Sequence, residues 1–395
     1  MDGATATKIY DETDRANPVN HRRLARMAPL LAAAAVAVAL LIVSLPFRSG
    51  DDESEGVAGA VSWLPSRLTP AKAPPPLPSD RRVGLASLIY LTAGSPQAVL
   101  VAVDGSQYRL PDPAPRSLSP DGRWLLSVRD QRLTLRDLTG TEVLDVGAYY
   151  GAGPFAAVWS TDGAGLVVQL RNAPPFTEAT VVDLDAGRSS TVPLTRLSGT
   201  AVCDRQGNGD LVLCSGRFDR RELATWVVDG ITGQLRSLRT LDLSDALEPA
   251  ERRGEEVAGQ LGDWQLVLAD GATLALRAHD YVPDQGVTTP GDLLLFDIAT
   301  GRFVRRIDLP AQAVENVAEP GGSQRFATTD GRRVVAAAPE GILLVHSGPR
   351  GKAGGDRFVE IVRTLELLDP VTGKRTVVTR VSGSISAVVP RGASL

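Results

Sequence analysis

The sequence has few of the residues on which most metal and redox sites depend. It contains two cysteines, Cys203 and Cys214, and three histidines among 395 residues. Two cysteines exclude a disulfide-dense scaffold and a four-cysteine zinc site. No histidine has a second one at metal-ligand spacing, and neither an HExxH nor a G-x-S-x-G motif occurs. The sequence therefore predicts no metal, no cofactor and no catalytic residues.

An excess of positive charge is also absent. The formal net charge is −4, which does not suggest a nucleic-acid partner. After residue 83 no convincing amphipathic helix exceeds about three turns. Glycine and proline are frequent instead, at 39 and 27 residues, which suits a fold with many turns. These features favour one large all-β domain.

One long apolar run stands apart from this pattern. Residues 27–47 carry no charge, and about 20 such residues span a bilayer as a helix. Three arginines precede the run and four acidic residues follow it closely. The positive-inside rule then places residues 1–26 in the cytoplasm and the rest outside. We expect a single-pass transmembrane helix in the cell membrane. The alternatives are a cleaved signal peptide and a twin-arginine signal at Arg22-Arg23.

The segment that follows, residues 48–82, begins acidic and ends rich in proline. Proline favours extended conformations and blocks helix and sheet. We therefore predict an extracytoplasmic linker that holds a domain of residues 83–395 away from the membrane.

Two turn signals recur in that domain, each between apolar strands. The first is Asp-Gly or Asn-Gly, which suits tight hairpins. It occurs at Asp121-Gly122, Asp162-Gly163, Asn208-Gly209, Asp270-Gly271 and Asp330-Gly331. The second is an aspartate followed within three or four residues by glycine. It occurs at Asp137–Gly140, Asp183–Gly187, Asp229–Gly233, Asp297–Gly301 and Asp369–Gly373. Two hairpins per unit make four strands, the pattern of a β-propeller blade.

The element SPDGRWLLSV, around Asp121, resembles the WD40-like (PD40-type) repeats of TolB-type propellers. The resemblance covers residues 83–392, and membrane-anchored versions look like actinobacterial WD40-repeat proteins. The resemblance implies a propeller but little about function, because this fold hosts many activities. Five units are complete, and the C-terminal ISAVVPRG can close a sixth by pairing with strands in residues 85–112. We predict six blades, with seven as the alternative.

The longest insertions fall at the connections that share one face of the disc. They are residues 171–178, 215–222, 244–262, 280–291 and 347–358. Long loops on a rigid scaffold often carry function. The candidate ligand-binding residues are Arg217, Asp219, Arg220, Tyr281, Asp284, Arg350, Lys352 and Asp356, and the alternative is that they are solvated loop residues.

The two cysteines flank the Asn208-Gly209 turn. A two-residue turn there would place Cys203 opposite Cys214, and an extracytoplasmic location favours oxidation. We predict a disulfide, with two small buried side chains as the alternative.

These observations predict a non-catalytic binding or scaffold module of the cell envelope, with a protein, peptide or glycan partner. The alternative is a propeller enzyme of lyase or glycosidase type with its site at the mouth of the central channel. His279, Asp280 and Tyr281 are the nearest group to such a site.

Overall fold

The computed structural model describes most of the chain from residue 61 onward. The described residues are 61–93, 97–111, 116–148, 155–170, 178–194, 200–215, 223–243, 245–246, 265–282, 287–309, 314–318, 324–328, 331–353 and 357–393. The predicted cytoplasmic tail and membrane segment lie outside this part. Within the described ranges no helix is long and apolar enough to cross a bilayer.

Short antiparallel strands follow one another along the first half of the chain. The first strands are β1 (Arg67–Leu68), β2 (Ala86–Thr92), β3 (Ala98–Ala102) and β4 (Gln107–Arg109). A four-stranded sheet follows, with β5 (Arg116–Leu118), β6 (Trp124–Arg129), β7 (Arg132–Asp137) and β8 (Val143–Ala148). The next sheet has β9 (Phe155–Trp159), β10 (Gly165–Leu170), β11 (Glu178–Asp183) and β12 (Arg188–Pro193). We call these two sheets blades 2 and 3.

The same arrangement continues to the C-terminus. Blade 4 has β13 (Thr200–Arg205), β14 (Leu211–Ser215), β15 (Ala224–Val228) and β16 (Leu235–Thr240). Blade 5 has β17 (Gln265–Val267), β18 (Thr273–Val282), β19 (Val287–Asp297) and β20 (Phe303–Ile307). A separate hairpin follows, with β21 (Val314–Ala318) and β22 (Gln324–Thr328). Blade 6 has β23 (Gly331–Ala338), β24 (Gly341–Ala353), β25 (Arg357–Leu368) and β26 (Arg375–Val381), and β27 (Ile385–Pro390) is last.

Blade 1 closes the ring by joining the two ends of the domain. Its strand order is β27-β2-β3-β4, so the last strand of the chain is the inner strand of the first blade. Leu88 pairs with Pro390 and Leu91 with Ala387. The described residues thus form an all-β propeller of six blades, as predicted, and the closure leaves no unpaired inner edge.

Alternating apolar side chains fill the spaces between blades. Leu126 and Leu135 of blade 2 are fully buried, as are Leu213 of blade 4 and Leu344 of blade 6. Burying a leucine contributes about 1.5–3 kcal/mol relative to its exposure. The alternation is the reason that each strand can contact both neighbouring blades.

The Asp-Gly turns differ from the tight hairpins that we predicted. In these turns only the glycine has a positive φ, for example 75° at Gly122 and 72° at Gly163. The amide of Gly122 donates to the carbonyl of Ser119, and Asp121 Oδ1 accepts from the amide of Arg123 at 3.0 Å. The aspartate therefore acts as a side-chain acceptor that fixes a longer turn.

Asp330-Gly331 does not form the turn predicted for it. Gly331 lies in β23 and pairs with Ser347, whereas Asp330 lies outside the described residues. The inner hairpin of blade 6 closes instead after Ala338, which pairs with Gly341. Two glycine turn signals ten residues apart compete here, and the second pairs the end of β23 with the apolar residues Ile342 to Val345 of β24.

The second turn signal closes the outer hairpins as predicted and also joins blades. Asp297 Oδ1 accepts hydrogen bonds from the amide and hydroxyl of Thr300, both at 2.7 Å. These bonds lower the pKa of Asp297. The carbonyl of Gly301 accepts from the amide of Asp242 at the end of blade 4. A Cβ atom on Gly301 would lie 2.3 Å from the carbonyl oxygen of Thr240, so the turn packs closely against the preceding blade.

The structure joins Cys203 to Cys214 in a disulfide, with Cα atoms 6.0 Å apart. The strand register differs from our prediction, because Cys214 lies opposite Ala201. The turn is one residue longer than predicted, since Gln206 pairs with Asp210. A β-bulge between Val202 and Asp204 shifts the register by one more residue and leaves Cys203 without a direct cross-strand partner.

Part of the predicted linker packs on the propeller. We call residues 61–82 the strap. Val61, Leu64 and Leu68 are buried in the core cluster shared with blades 1 and 6. The strand β1 adds in parallel to the outer edge of blade 6, where Arg67 pairs with Arg380.

The strap then crosses to blade 1. Pro76 forms a parallel bridge with Arg109 at the outer edge of that blade. Gln107 accepts from the amide of Ala71 at 2.9 Å and donates to the carbonyl of Thr69 at 2.9 Å. The strap therefore bridges blade 6 and blade 1, the blade in which the ring closes.

Candidate functional site

Two long hairpins extend from the same face of the ring, at blades 5 and 6. In blade 5, β18 and β19 stay paired as far as Val282 and Val287. The first and fourth strands of that blade, β17 and β20, pair only with residues 274–276 and 293–296, so the last part of the hairpin is a two-stranded ribbon. Six residues of strand extend about 20 Å. Two of the predicted loops, 280–291 and 347–358, are thus mostly strand.

Blade 6 has the longest strands of the ring, with 13 residues in β24 and 12 in β25. Their pairing continues beyond the four-stranded part, to Arg350 opposite Val359 and Ala353 opposite Arg357. In blade 2 the corresponding connection is two residues, Asp130 and Gln131, both with positive φ. We call the side of the ring that carries the β18–β19 and β24–β25 ribbons the hairpin face.

The β21–β22 hairpin adds a third element to the same region. It connects the outer strand of blade 5 to the inner strand of blade 6, and such connections open on the hairpin face. Val314 pairs with Thr328 and Ala318 with Gln324. β22 packs beside β24. Three hairpins are therefore grouped where blades 5 and 6 meet.

Three of the predicted ligand-binding residues lie on the hairpins of blades 5 and 6. Tyr281 lies in β18, and Arg350 and Lys352 lie in β24. The remaining predicted residues, Arg217, Asp219, Arg220, Asp284 and Asp356, lie outside the described residues. His279 and Asp280 also lie in β18, within the ribbon of blade 5.

A polar row that the sequence analysis did not single out lies at the base of the blade 6 ribbon. Arg332, His346 and Thr364 are aligned across three strands. Arg332 Nε donates to Glu366 Oε2 at 2.9 Å, and His346 Nδ1 lies 3.8 Å from Glu366 Oε1. The Glu366 side chain is only 7% exposed. A buried carboxylate requires such a partner because an isolated charge is costly to desolvate.

Glu366 stands in an otherwise apolar part of β25. Its neighbours Leu365 and Leu367 are buried on the opposite side of the sheet. A charged residue between leucines in the run TLELLDP was the available sequence signal. The role of this glutamate depends on the register of β25 with β23 and β24. The sequence analysis could not obtain that register because it assigned the turn to Asp330-Gly331.

A cleft of about 420 Å³ lies beside this pair, towards the outer rim of the ring. We call it the rim cleft. Its lining residues are Arg332, Glu366, Gly373, Lys374, Arg375 and Val377. Arg305 of blade 5 donates to the carbonyl of Val371 and approaches Gly373, so the cleft lies where the outer strands of blades 5 and 6 meet.

A second cleft, of about 520 Å³, lies under the strap. Thr69 to Pro74 form one wall, and Ser382 to Ser384 form another. Tyr90 lies next to this wall, since its hydroxyl accepts from the amide of Ala71 at 3.2 Å and donates to Gln107 at 2.7 Å. Burial raises the pKa of Tyr90. The lining is mainly hydroxyl groups, proline rings and one ammonium group, Lys72.

A buried carboxyl group lies at the other end of the inner strands. Asp204 is 2% exposed, and its Oδ2 has no hydrogen-bond partner in the described part of the chain. Desolvation raises the pKa of Asp204 to about 6. Among the described residues no three His, Cys, Asp or Glu side chains are arranged to hold a metal ion. Asp204 therefore has a raised pKa but is not part of a metal-binding cluster among the described residues.

Several solved β-propeller structures are similar to this chain at low sequence identity, and the similarity concerns the fold. TolB from Acinetobacter baumannii is similar at 16% identity, over 78% of this chain and 66% of that chain, with a TM-score of 0.42. This chain thus spans slightly less than two thirds of the length of that protein. An oligogalacturonate lyase from Vibrio parahaemolyticus is similar at 14% identity, over 77% and 80%, with a TM-score of 0.39.

The WD40 repeats of RRP9 are similar at 12% identity, over 75% of this chain and 78% of that chain, with a TM-score of 0.40. No family model matches the chain, and no curated protein matches it. TolB and WD40-repeat propellers are thus among the solved structures that this chain resembles, as the repeat motif predicted. The resemblance to membrane-anchored actinobacterial proteins stays a prediction.

Proposed function

We propose that the protein is a non-catalytic binding or scaffold module of the cell envelope. In this proposal residues 27–47 anchor it in the cell membrane, the N-terminus is cytoplasmic and the propeller is extracytoplasmic. The partner is an envelope protein, peptide or glycan that contacts the hairpin face. The observation that carries the proposal is the grouping of three hairpins at blades 5 and 6.

The hairpins support a binding role for a physical reason. A ribbon that leaves the four-stranded blade loses neighbours on both edges, and its backbone donors and acceptors there are available to another chain. Blade 2 shows that two residues suffice for the same connection. The additional length in blades 5 and 6 therefore does not serve to close the blade.

A site-specific crosslinking experiment tests this proposal. A photoreactive residue replaces Gly351 in the blade 6 ribbon, and a control replaces Gly207 in the opposite turn of blade 4. We expect the first variant, in native membranes, to form a discrete adduct that the second does not form. Equal labelling from both positions, or none from either, would count against a partner at the hairpin face.

A propeller enzyme of lyase or glycosidase type is the second candidate. One observation favours it: Glu366 and His346 lie together beside the rim cleft. A carboxylate and an imidazole can act as a general acid and base. Release of soluble fragments from isolated cell-wall polysaccharide, abolished by Glu366→Gln, would favour the enzyme over the binding module.

A further inference from the structure

We propose that the rim cleft binds an acidic peptide segment of a partner protein. This inference rests on the proposed binding function and adds a second contact surface, away from the hairpin face. It follows from the charges around the cleft, from the exposed valine beside it and from its position between two blades.

Cations dominate the walls of the rim cleft. Arg332 is engaged by Glu366, so their charges largely compensate each other. Lys374 and Arg375 are exposed and make no side-chain ion pair with any residue in the described ranges. Arg305 of the neighbouring blade is half-buried, and its charge acts on Asp369. The chain as a whole has a net charge of −4, so the positive charge at the rim cleft is opposite in sign to that of the whole chain.

The carboxylate of the turn that precedes these cations is already engaged. Asp369 Oδ1 accepts from the amide of Val371 at 2.8 Å, and Oδ2 accepts from the hydroxyl of Thr372 at 2.6 Å. These bonds, with the hydroxyl of Thr372 the largest cause, lower the pKa of Asp369. Both of its carboxylate oxygens are bonded within the turn, and neither Lys374 nor Arg375 forms an ion pair with it in the described part of the chain. Arginine pairs well with a carboxylate because its guanidinium group donates two parallel bonds.

An apolar side chain next to the cleft favours a peptide over a small anion. Val371 is 76% exposed, and its carbonyl accepts from Arg305 beside the cleft. Protein surfaces that bind other proteins combine exposed apolar groups with a charged rim. A peptide segment with glutamates or aspartates beside one apolar side chain would pair with the cations and also cover the exposed apolar surface.

Binding of a labelled peptide to the full chain tests the proposal. The probe is a short fluorescent peptide of alternating glutamate and leucine, measured by anisotropy at low and physiological salt. The test variant is Lys374→Ala/Arg375→Ala. The matched control is Arg188→Ala/Arg302→Ala, which removes two exposed arginines that directly follow the corresponding turn glycines of blades 3 and 5.

We expect roughly tenfold weaker binding to the test variant and an unchanged affinity in the control, because each exposed charge pair contributes modestly. Binding should also weaken with salt, since the screening length falls to about 8 Å at physiological ionic strength. No binding, or equal loss in both variants, would overturn the proposal. Displacement of the labelled peptide by inorganic pyrophosphate or by anionic lipid vesicles would also overturn the proposal, because the cleft would then bind anions in general.

The two proposals can fail independently. If the Gly351 crosslink forms but the peptide does not bind at Lys374 and Arg375, the hairpin face is a binding surface and the rim cleft is not. If the peptide binds there but Gly351 forms no adduct, the partner approaches from the rim alone.

Discussion

Alanine at Gly301 should destabilise the propeller much more than alanine at Gly271. Both glycines belong to blade 5 and have positive φ, at 72° and 64°. A Cβ atom at Gly271 would meet nothing within 4 Å, whereas one at Gly301 would lie 2.3 Å from the carbonyl oxygen of Thr240. Comparison of the two alanine variants therefore distinguishes the cost of backbone strain from the cost of disturbing the contact between blades 4 and 5.

The expected magnitudes follow from these two contributions. A left-handed conformation costs an alanine about 1–2 kcal/mol, which applies to both variants. Gly301→Ala must also move the turn away from blade 4, and such overpacking typically costs a further 1–3 kcal/mol. The same movement would stretch the hydrogen bond from the amide of Asp242 to Gly301. We expect a total loss of about 3 kcal/mol for Gly301→Ala.

Urea denaturation of the purified chain measures the difference. The denaturation midpoint should fall for both variants, with an unchanged slope, and should fall further for Gly301→Ala. Equal losses would refute the reasoning, because they would mean that the contact with Thr240 can relax at no cost. A changed slope would indicate instead that the blades no longer unfold together.

Two further substitutions test other parts of the structure. Asp204→Asn should stabilise the protein at pH 8 and have little effect at pH 4: the raised pKa of about 6 means that ionisation above this pH costs the folded state about 2–3 kcal/mol. Equal effects of Asp204→Asn at both pH values would contradict this. Leu68→Ala, at a strap residue that is 1% exposed, should cost about 2–5 kcal/mol in urea denaturation, and Leu85→Ala, at 42% exposure, very little. A strap that does not contribute to the fold would make these two leucines equivalent.

The number of blades could be predicted because its signals are local. Each outer hairpin is closed by an aspartate whose carboxylate binds the amides a few residues later, as at Asp297. Such a turn forms without information from the rest of the chain, so it can be recognised in the sequence. The disulfide partners could be inferred in the same way, but the register around them could not, since a bulge and a longer turn change it.

The polar row and the strap depend on distant residues. Arg332 and Glu366 are 34 positions apart and meet only when the register of blade 6 is set by Gly341. The strap is proline-rich, which correctly excludes helix. However, β1 needs only two residues to pair with blade 6, and its burial depends on Leu68 meeting a surface formed more than 300 residues later.

Among the described residues, departures from a regular ring occur at blades 5, 6 and 1. The long ribbons and the rim cleft lie at the border of blades 5 and 6, and the strap covers the border of blades 6 and 1. Within the described residues, the B–C connection of blade 2 has only two residues. A partner that engages both the hairpin face and Lys374 would therefore contact blade 6 from two sides. Blade 6 is also the blade to which the strap is attached through β26, so tension on the strap would act on the blade that we expect to hold the partner.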